Sequence, residues 1–148
     1  MLKTLRYGFI GCGMMGQEHL RNLAMIKGTE VIAIYEPDAA MRSESARLAP
    51  KARFTESEEE VIRAEDVDAL VITSPNYLHA RQLEHISAIR PMPVLVEKPV
   101  CTSLEQLRAL QVWRKITPHQ FGWRWSTDTC RLSLGWWRKS IPAKHSAR

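Results

Sequence analysis

Three glycines, at positions 11, 13 and 16, constrain this chain more than any other feature, because they stand where a predicted strand turns into a predicted helix. The run before them, residues 5–10, is apolar and aromatic and predicts a buried strand. The residues after them repeat at helical spacing, which predicts a helix with one apolar face. That face consists of Gly16, Leu20, Leu23 and Ala24. The G-x-G-x-x-G spacing therefore occurs in the structural context that gives it meaning.

Each glycine has a separate physical reason to be present. Gly11 lets the strand turn sharply, Gly13 lets the backbone approach a pyrophosphate, and Gly16 allows close packing of the helix on the strand. The amino end of the helix then offers unpaired N–H groups and a positive dipole end to phosphates. The pattern favours a dinucleotide site over the alternative, a glycine-rich turn that binds nothing.

An acidic residue follows the second predicted strand, residues 30–35. Glu36 lies 20 residues beyond Gly16, where a carboxylate accepts hydrogen bonds from the adenosine ribose hydroxyls. A carboxylate at that place also repels a 2′-phosphate, so it favours NAD over NADP. The alternative is an acid on a surface loop.

Strands and helices alternate along most of the chain, which predicts a parallel sheet with right-handed crossovers and an α/β doubly wound fold. The 148 residues suffice for one domain. The predicted strands cover 5–10, 30–35, 52–54, 68–73 and 94–96. The first predicted helix runs from the glycines to Lys27, the second covers 39–48, the third is short and ends at Arg63, and the fourth covers 77–90. A fifth predicted helix follows Thr102 and contains Leu104, Leu107 and Leu110.

Several helix starts carry capping signals. The predicted caps are Asp38, Thr55 paired with Glu58, Asn76, and Thr102 paired with Glu105. The acids Glu56, Glu58, Glu59 and Glu60 are expected to form a solvated first turn.

Polar residues also follow the fourth and fifth predicted strands. Ser74, Asn76 and His79 would face the carboxyl edge of the sheet, where doubly wound folds place ligands. Glu97 and Lys98 follow the fifth strand directly, an unusual place for two charges. Their plain interpretation is an ion pair in a loop.

Composition argues for a cytoplasmic protein. No apolar run approaches the length of a membrane span, and the amino-terminal residues lack a signal-like apolar core. Cys12, Cys101 and Cys130 are scattered, which fits reduced thiols rather than disulfides or a metal site. Cys12 is expected only to fill space in the glycine turn.

Four segments together, GCGMMGQEH, YEPD, TSPNYLH and EKP, resemble the amino-terminal domain of the Gfo/Idh/MocA oxidoreductases over residues 4–113. The resemblance implies a Rossmann domain that binds NAD(P), in an enzyme that moves hydride to or from a sugar or cyclitol. The implied cofactor-binding residues are Gly11, Gly13, Met14, Met15, Gly16, Glu36, Thr73, Ser74, Pro75, Asn76, His79, Glu97 and Lys98. Glu97 and Lys98 are the implied catalytic residues, with Lys98 touching substrate and supporting proton transfer. The Lys98–Pro99 bond is often cis in this family.

The last part of the chain departs from the family pattern. Residues 1–113 carry 13 Lys/Arg and 15 Asp/Glu, whereas residues 114–148 carry 8 Lys/Arg and one acid. All five tryptophans lie from Trp113 onward. We expect residues 1–116 to form the cofactor domain and residues 117–148 to be a basic, Trp-rich tail produced by a displaced reading frame or a truncation.

The family's second α/β domain, which supplies the substrate pocket and most of the oligomer interface, is expected to be missing, so the chain alone should be inactive. Three functions are therefore weighed. They are a dehydrogenase represented by its cofactor domain, a non-catalytic dinucleotide-binding remnant or sensor, and a tail that binds single-stranded nucleic acid. No nucleic-acid motif accompanies the tail. We therefore expect a sugar or cyclitol as partner, and neither nucleic acid nor membrane.

Overall fold

The computed structural model describes residues 4–116, with side chains through residue 111, so the predicted tail over 117–148 lies outside the described residues. The strands are β1 (Leu5–Ile10), β2 (Thr29–Tyr35), β3 (Arg53–Thr55), β4 (Ala69–Ile72) and β5 (Val94–Val96). The helices are α1 (Met14–Ala24), α2 (Ala39–Leu48), α3 (Glu58–Arg63), α4 (His79–Ile89) and α5 (Leu104–Ile116), with a 3₁₀ helix at Asn76–Leu78. Within this part of the chain, no helix has the length and apolar character needed to cross a bilayer.

The five strands form one parallel sheet in the order β3-β2-β1-β4-β5. From β1 the chain first winds outward through β2 and β3, then returns to the other side of β1 for β4 and β5. The predicted doubly wound α/β fold is confirmed. The order reverses between β1 and β4, and a crevice at that reversal is where open α/β sheets bind ligands.

Apolar side chains cover both faces of the sheet. Phe9 and Val71 pack with Leu20 of α1 on one face. On the other face, Ile10 packs with Leu83 of α4. Because neighbouring residues of a strand point to opposite faces, the four buried residues at the end of β1 and the four apolar residues of β4 anchor both helical layers.

The first helix is shorter than predicted. It ends at Ala24, which is exposed rather than on the inner face. The hydroxyl of Thr29 explains the end, because it donates to the carbonyl oxygens of Leu23 and Ile26 at 2.9 and 2.8 Å. Gly28 then takes a positive φ of 79°, as a glycine after a helix often does.

Of the four predicted helix caps, only Asp38 is confirmed. Asp38 caps α2, with its Oδ1 accepting from the Met41 N–H at 2.9 Å. The prediction that Thr55, paired with Glu58, caps the third helix is wrong, because Thr55 is the last residue of β3 and is paired to β2. Ser57 caps α3 instead, accepting from the Glu60 N–H at 3.3 Å.

The last two predicted caps are also wrong. Ser103 Oγ accepts from the Gln106 N–H at 3.1 Å, in place of the predicted box between Thr102 and Glu105. Asn76 lies inside the 3₁₀ helix, whose cap residue is Pro75, so its side chain does not cap a helix. Leu110 is buried, while Leu104 and Leu107 are exposed.

Candidate functional site

The turns that leave β1 and β4 are bonded to each other at the point of reversal. The Thr73 N–H donates to the Ile10 carbonyl at 3.0 Å, and the Thr73 hydroxyl donates to the Gly11 carbonyl at 2.7 Å. Gly11 has φ +80°, and a Cβ there would lie 2.6 Å from the Ser74 backbone. Glycine is therefore required at position 11 by both conformation and space.

Internal packing explains one of the next two glycines and not the other. A Cβ at Gly16 would lie 2.7 Å from Thr73 Oγ1 and 3.1 Å from Cys12 Sγ. A Cβ at Gly13 would find no described atom within 4 Å. The open space over Gly13 leaves room for a ligand to reach the backbone.

The amino end of α1 is uncapped beside that space and forms a candidate anion site. Gly13 is the cap residue, and no side chain of residues 4–111 bonds to the first-turn amides. The first turn contains no acid, and Met14 and Met15 are 82% and 44% exposed. Their N–H groups and the helix dipole therefore meet solvent, an arrangement that binds phosphate.

Glu36 is held against the glycine turn by backbone groups. Only 7% of the residue is exposed. Its Oε2 accepts from the Cys12 N–H in a short hydrogen bond, and its Oε1 accepts from the Asp38 N–H at 2.9 Å. The carboxylate thus has a fixed place at the end of β2, next to the anion site.

Cys12 contributes volume rather than reactivity. Its side chain is fully buried. The pKa of its thiol is raised to about 11, chiefly by burial and to a smaller extent by the nearby Glu36 carboxylate. The thiolate is the reactive form of cysteine, so this thiol is inert.

On the β4 side, a chain of hydrogen bonds fixes the Ser74 hydroxyl. Gln82 Nε2 donates to Glu58 Oε2 at 2.9 Å, and Ser74 Oγ donates to Gln82 Oε1 in a short bond. An ionised carboxylate only accepts hydrogen bonds. The amide nitrogen of Gln82 must therefore face Glu58, and its amide oxygen must face Ser74. Ser74 must then donate to it, so the serine oxygen can only accept from any further partner.

Glu58 is the base of that chain, and the prediction that it belongs to a solvated turn is wrong for this residue. Its side chain is 15% exposed. Arg81 Nη2 and His85 Nδ1 lie 3.3 and 3.2 Å from its Oε1. The acid interacts with α4 because α3 and α4 pack together.

His79 joins the turn after β4 to the turn after β5. The ring is 1% exposed. Its Nε2 lies 2.8 Å from the Ser74 carbonyl oxygen and its Nδ1 lies 2.8 Å from the Pro99 carbonyl oxygen. With both nitrogens engaged, His79 would line the site through the backbone it holds. Pro75 and Asn76 are exposed beside it.

Glu97 continues the edge of β5, with its N–H donating to the Ile72 carbonyl at 3.0 Å. Its Oε1 accepts from His19 Nε2 at 2.7 Å. That hydrogen bond is the largest cause that holds the pKa of Glu97 below its ordinary value, against the opposing effect of burial. Lys98 is exposed, and the Lys98–Pro99 peptide is cis.

The structure thus gathers the predicted residues along one edge of the sheet. The plain interpretation of Glu97 and Lys98 as an ion pair in a loop is not what the structure shows. The main partner of Glu97 is His19 rather than Lys98. Three partners were not selected from the sequence: His19, Gln82 and Glu58. A histidine three residues after Gly16 on an apolar helix face was the one available signal.

Comparison with known proteins agrees with this geometry. The oxidoreductase family with an NAD-binding Rossmann fold, GFO_IDH_MocA, matches residues 5–117. Inositol 2-dehydrogenase 2 of Paenarthrobacter aurescens (strain TC1) is 37% identical in an alignment of 141 residues that covers 93% of this chain and 39% of that protein. Inositol 2-dehydrogenase of Corynebacterium glutamicum (strain R) is 36% identical in an alignment of 151 residues, gaps included, that covers 100% of this chain and 41% of that protein.

Among solved structures, scyllo-inositol dehydrogenase from Lactobacillus casei with bound NAD(H) and scyllo-inositol superposes with a TM-score of 0.72. The two are 24% identical, and the match covers 81% of this chain and 36% of that one. The chain therefore spans about two fifths of the length of the relatives it matches. It belongs to the Gfo/Idh/MocA oxidoreductase family, and residues 5–117 match that family's NAD-binding Rossmann domain.

Proposed function

We propose that the protein is an NAD-dependent dehydrogenase that oxidises a CH–OH group of a cyclitol or sugar. The observation that carries this proposal is the open space over Gly13 beside the uncapped amides of Met14 and Met15. Nothing in the described packing requires glycine at that position, whereas a pyrophosphate does. The inositol 2-dehydrogenases among the relatives support the enzyme over a non-catalytic sensor.

The residues divide into two groups along the sheet edge. Gly11, Gly13, Gly16 and the amides of Met14 and Met15 would hold the pyrophosphate, and Glu36 the adenosine ribose. On the other side, Thr73, Ser74, Pro75, Asn76 and His79 would line the nicotinamide end, with Glu97 and Lys98. The bound cofactor supplies a hydride acceptor. Lys98 would move the proton of the substrate hydroxyl, because its exposed ammonium group follows β5 at the same edge.

Preference for NAD over NADP follows from Glu36. Its carboxylate is buried and held on both oxygens by backbone amides. It cannot turn away from a ligand without losing those bonds, so a 2′-phosphate would meet a fixed negative charge. Calorimetric titration with NADH and NADPH tests this, and equal or tighter binding of NADPH would contradict it.

The phosphate assignment is tested with Gly13→Asp. The backbone of Gly13 is extended, φ −66° and ψ −161°, and aspartate is a favourable helix cap. The variant should therefore fold as stably as the wild type. Its carboxylate should occupy the first-turn amides and abolish NADH binding. Thr4→Asp, which adds the same charge before β1 at the opposite edge, is the matched control and should bind normally.

The catalytic assignment is tested with Lys98→Ala. The side chain is exposed, so NADH affinity should change little, while general acid–base catalysis of this kind is worth about 10²–10⁴-fold in kcat. Because the chain alone is expected to be inactive, turnover is measured in a protein that joins this domain to the family's second α/β domain, as NAD⁺ reduction with myo-inositol, scyllo-inositol and sugars. NADH binding by that protein without turnover on any of them would favour the sensor.

A further inference from the structure

One buried polar side chain at this edge has no role in the function proposed above. His19 lies on the inner face of α1 and is 4% exposed. Its Nε2 donates to Glu97 Oε1 at 2.7 Å. Its Nδ1 is also buried, and no described residue bonds to it.

Packing alone does not account for an imidazole at position 19. A buried nitrogen without a partner loses its hydration and gains nothing in return. Leucine has a similar size, fills the neighbouring position Leu20 on the same helix, and would avoid that loss. What the histidine adds is the single bond to Glu97.

That bond connects two segments that are 78 residues apart in the chain. One is the helix whose first turn carries the anion site at Met14 and Met15. The other is the turn after β5, which carries Lys98. The backbone of Glu97 is fixed to β4 through the Ile72 carbonyl, whereas its carboxylate is fixed to α1 through His19.

We propose that His19 is a positioning residue that sets the Glu97–Lys98 turn at a fixed distance from the phosphate-binding end of α1. A dinucleotide held at its pyrophosphate then meets Glu97 and Lys98 already in place for its nicotinamide end. The inference rests on the proposed function, since it assigns the two ends of the cofactor to these two segments. The ionised state of Glu97, which the hydrogen bond from His19 favours, strengthens the connection.

The test compares NADH with ADP-ribose, which has the pyrophosphate and lacks the nicotinamide. Both are titrated calorimetrically into the wild type, His19→Leu and His19→Gln. His19→Leu should bind ADP-ribose as the wild type does. It should bind NADH about tenfold more weakly, the loss expected for one hydrogen bond to a charged group. His19→Gln should recover most of the NADH affinity, because its amide can donate to Glu97.

A second variant removes the same bond from the other side. Glu97→Ala leaves α1 unchanged but also removes a side chain assigned to the nicotinamide end, so its selective loss of NADH affinity should be at least as large. Adding His19→Leu to Glu97→Ala should cost little more, because the bond between the two residues is already absent.

The outcomes separate the two proposals. Equal weakening of NADH and ADP-ribose in His19→Leu, or no recovery with glutamine, would show that the histidine only supports the helix and would overturn the positioning role. A wild type that binds neither ligand would overturn the proposed function, and the positioning role with it.

Discussion

The two sides of the sheet's carboxyl edge are built by different means. On the β1–β2 side, backbone groups form the site: amides at the start of α1, and Glu36 held by two further amides. On the β4–β5 side, side chains form it, and each is held by another side chain or by a carbonyl: Ser74 by Gln82, Glu97 by His19, and His79 by the Ser74 and Pro99 carbonyls.

This difference determines what substitution does to each side. Backbone amides can be blocked but not removed, so the first side is sensitive to anything that adds a Cβ or a charge at the glycines. The second side can be altered one bond at a time, at residues outside the crevice. The first arrangement suits a ligand part that never varies, and the second suits the part where chemistry occurs.

The largest expected effect tests the backbone side. Gly11→Ala forces a Cβ at φ +80° to within 2.6 Å of the Ser74 backbone and should lower the free energy of unfolding by about 3 kcal/mol or more. Gly13→Ala meets no described atom and should cost less than about 1 kcal/mol, as a poorer helix cap. Urea denaturation measures both. Similar losses at the two positions would contradict the division between packing glycine and ligand glycine.

An intermediate effect is expected at Glu36. In Glu36→Gln one backbone N–H would face an amide NH₂ rather than an oxygen, which should cost about 1–3 kcal/mol of stability. The ratio of NADPH to NADH affinity should rise as the charge is lost. Glu30→Gln is the control, because that partly exposed acid pairs with Lys51 at 3.6 Å at the surface and lies away from the glycine turn. It should change stability by less than about 1 kcal/mol. An unchanged cofactor ratio in Glu36→Gln would remove this residue from the ribose site.

The smallest effect concerns the side-chain side. The pKa of Glu97 should lie below its ordinary value of 4.5 and should rise in His19→Leu. Because the folded pKa is lowered, this group stabilises the fold above the ordinary value. The contribution disappears as pH falls through the folded pKa. The wild type and His19→Leu should therefore approach each other in stability under acid. Carbon-13 NMR of the glutamate carboxyls measures the pKa, and an equal value in both proteins would contradict the assignment.

The sequence predicted the backbone side well, because its signals are local. The glycine turn, Glu36 and the Asp38 cap each depend on residues within one βα unit, and β1, α2 and β5 have the predicted bounds. Helix starts were predicted less well. Thr55 and Asn76 both have capping chemistry, but pairing in β3 and the 3₁₀ helix gave their backbones other roles.

The side-chain side could not be assembled from the sequence. The bond between His19 and Glu97 spans the whole domain in sequence, and the chain from Ser74 to Glu58 joins three separate elements. Such pairs depend on which helices pack together, and no local pattern records that. Glu58 illustrates the limit. Its charge and its position at a helix start fit a solvated acid as well as they fit the observed acid that accepts from Gln82.

The ring of His79 has a mechanical consequence. When both of its nitrogens carry a proton, it donates to the carbonyl that precedes Pro75 and to the carbonyl of Pro99, so neither turn can shift without pulling on the other. The two turns therefore move together rather than independently. A molecule that orders the Ser74 turn therefore also orders the turn that carries Lys98, and the entropy of that ordering is lost only once.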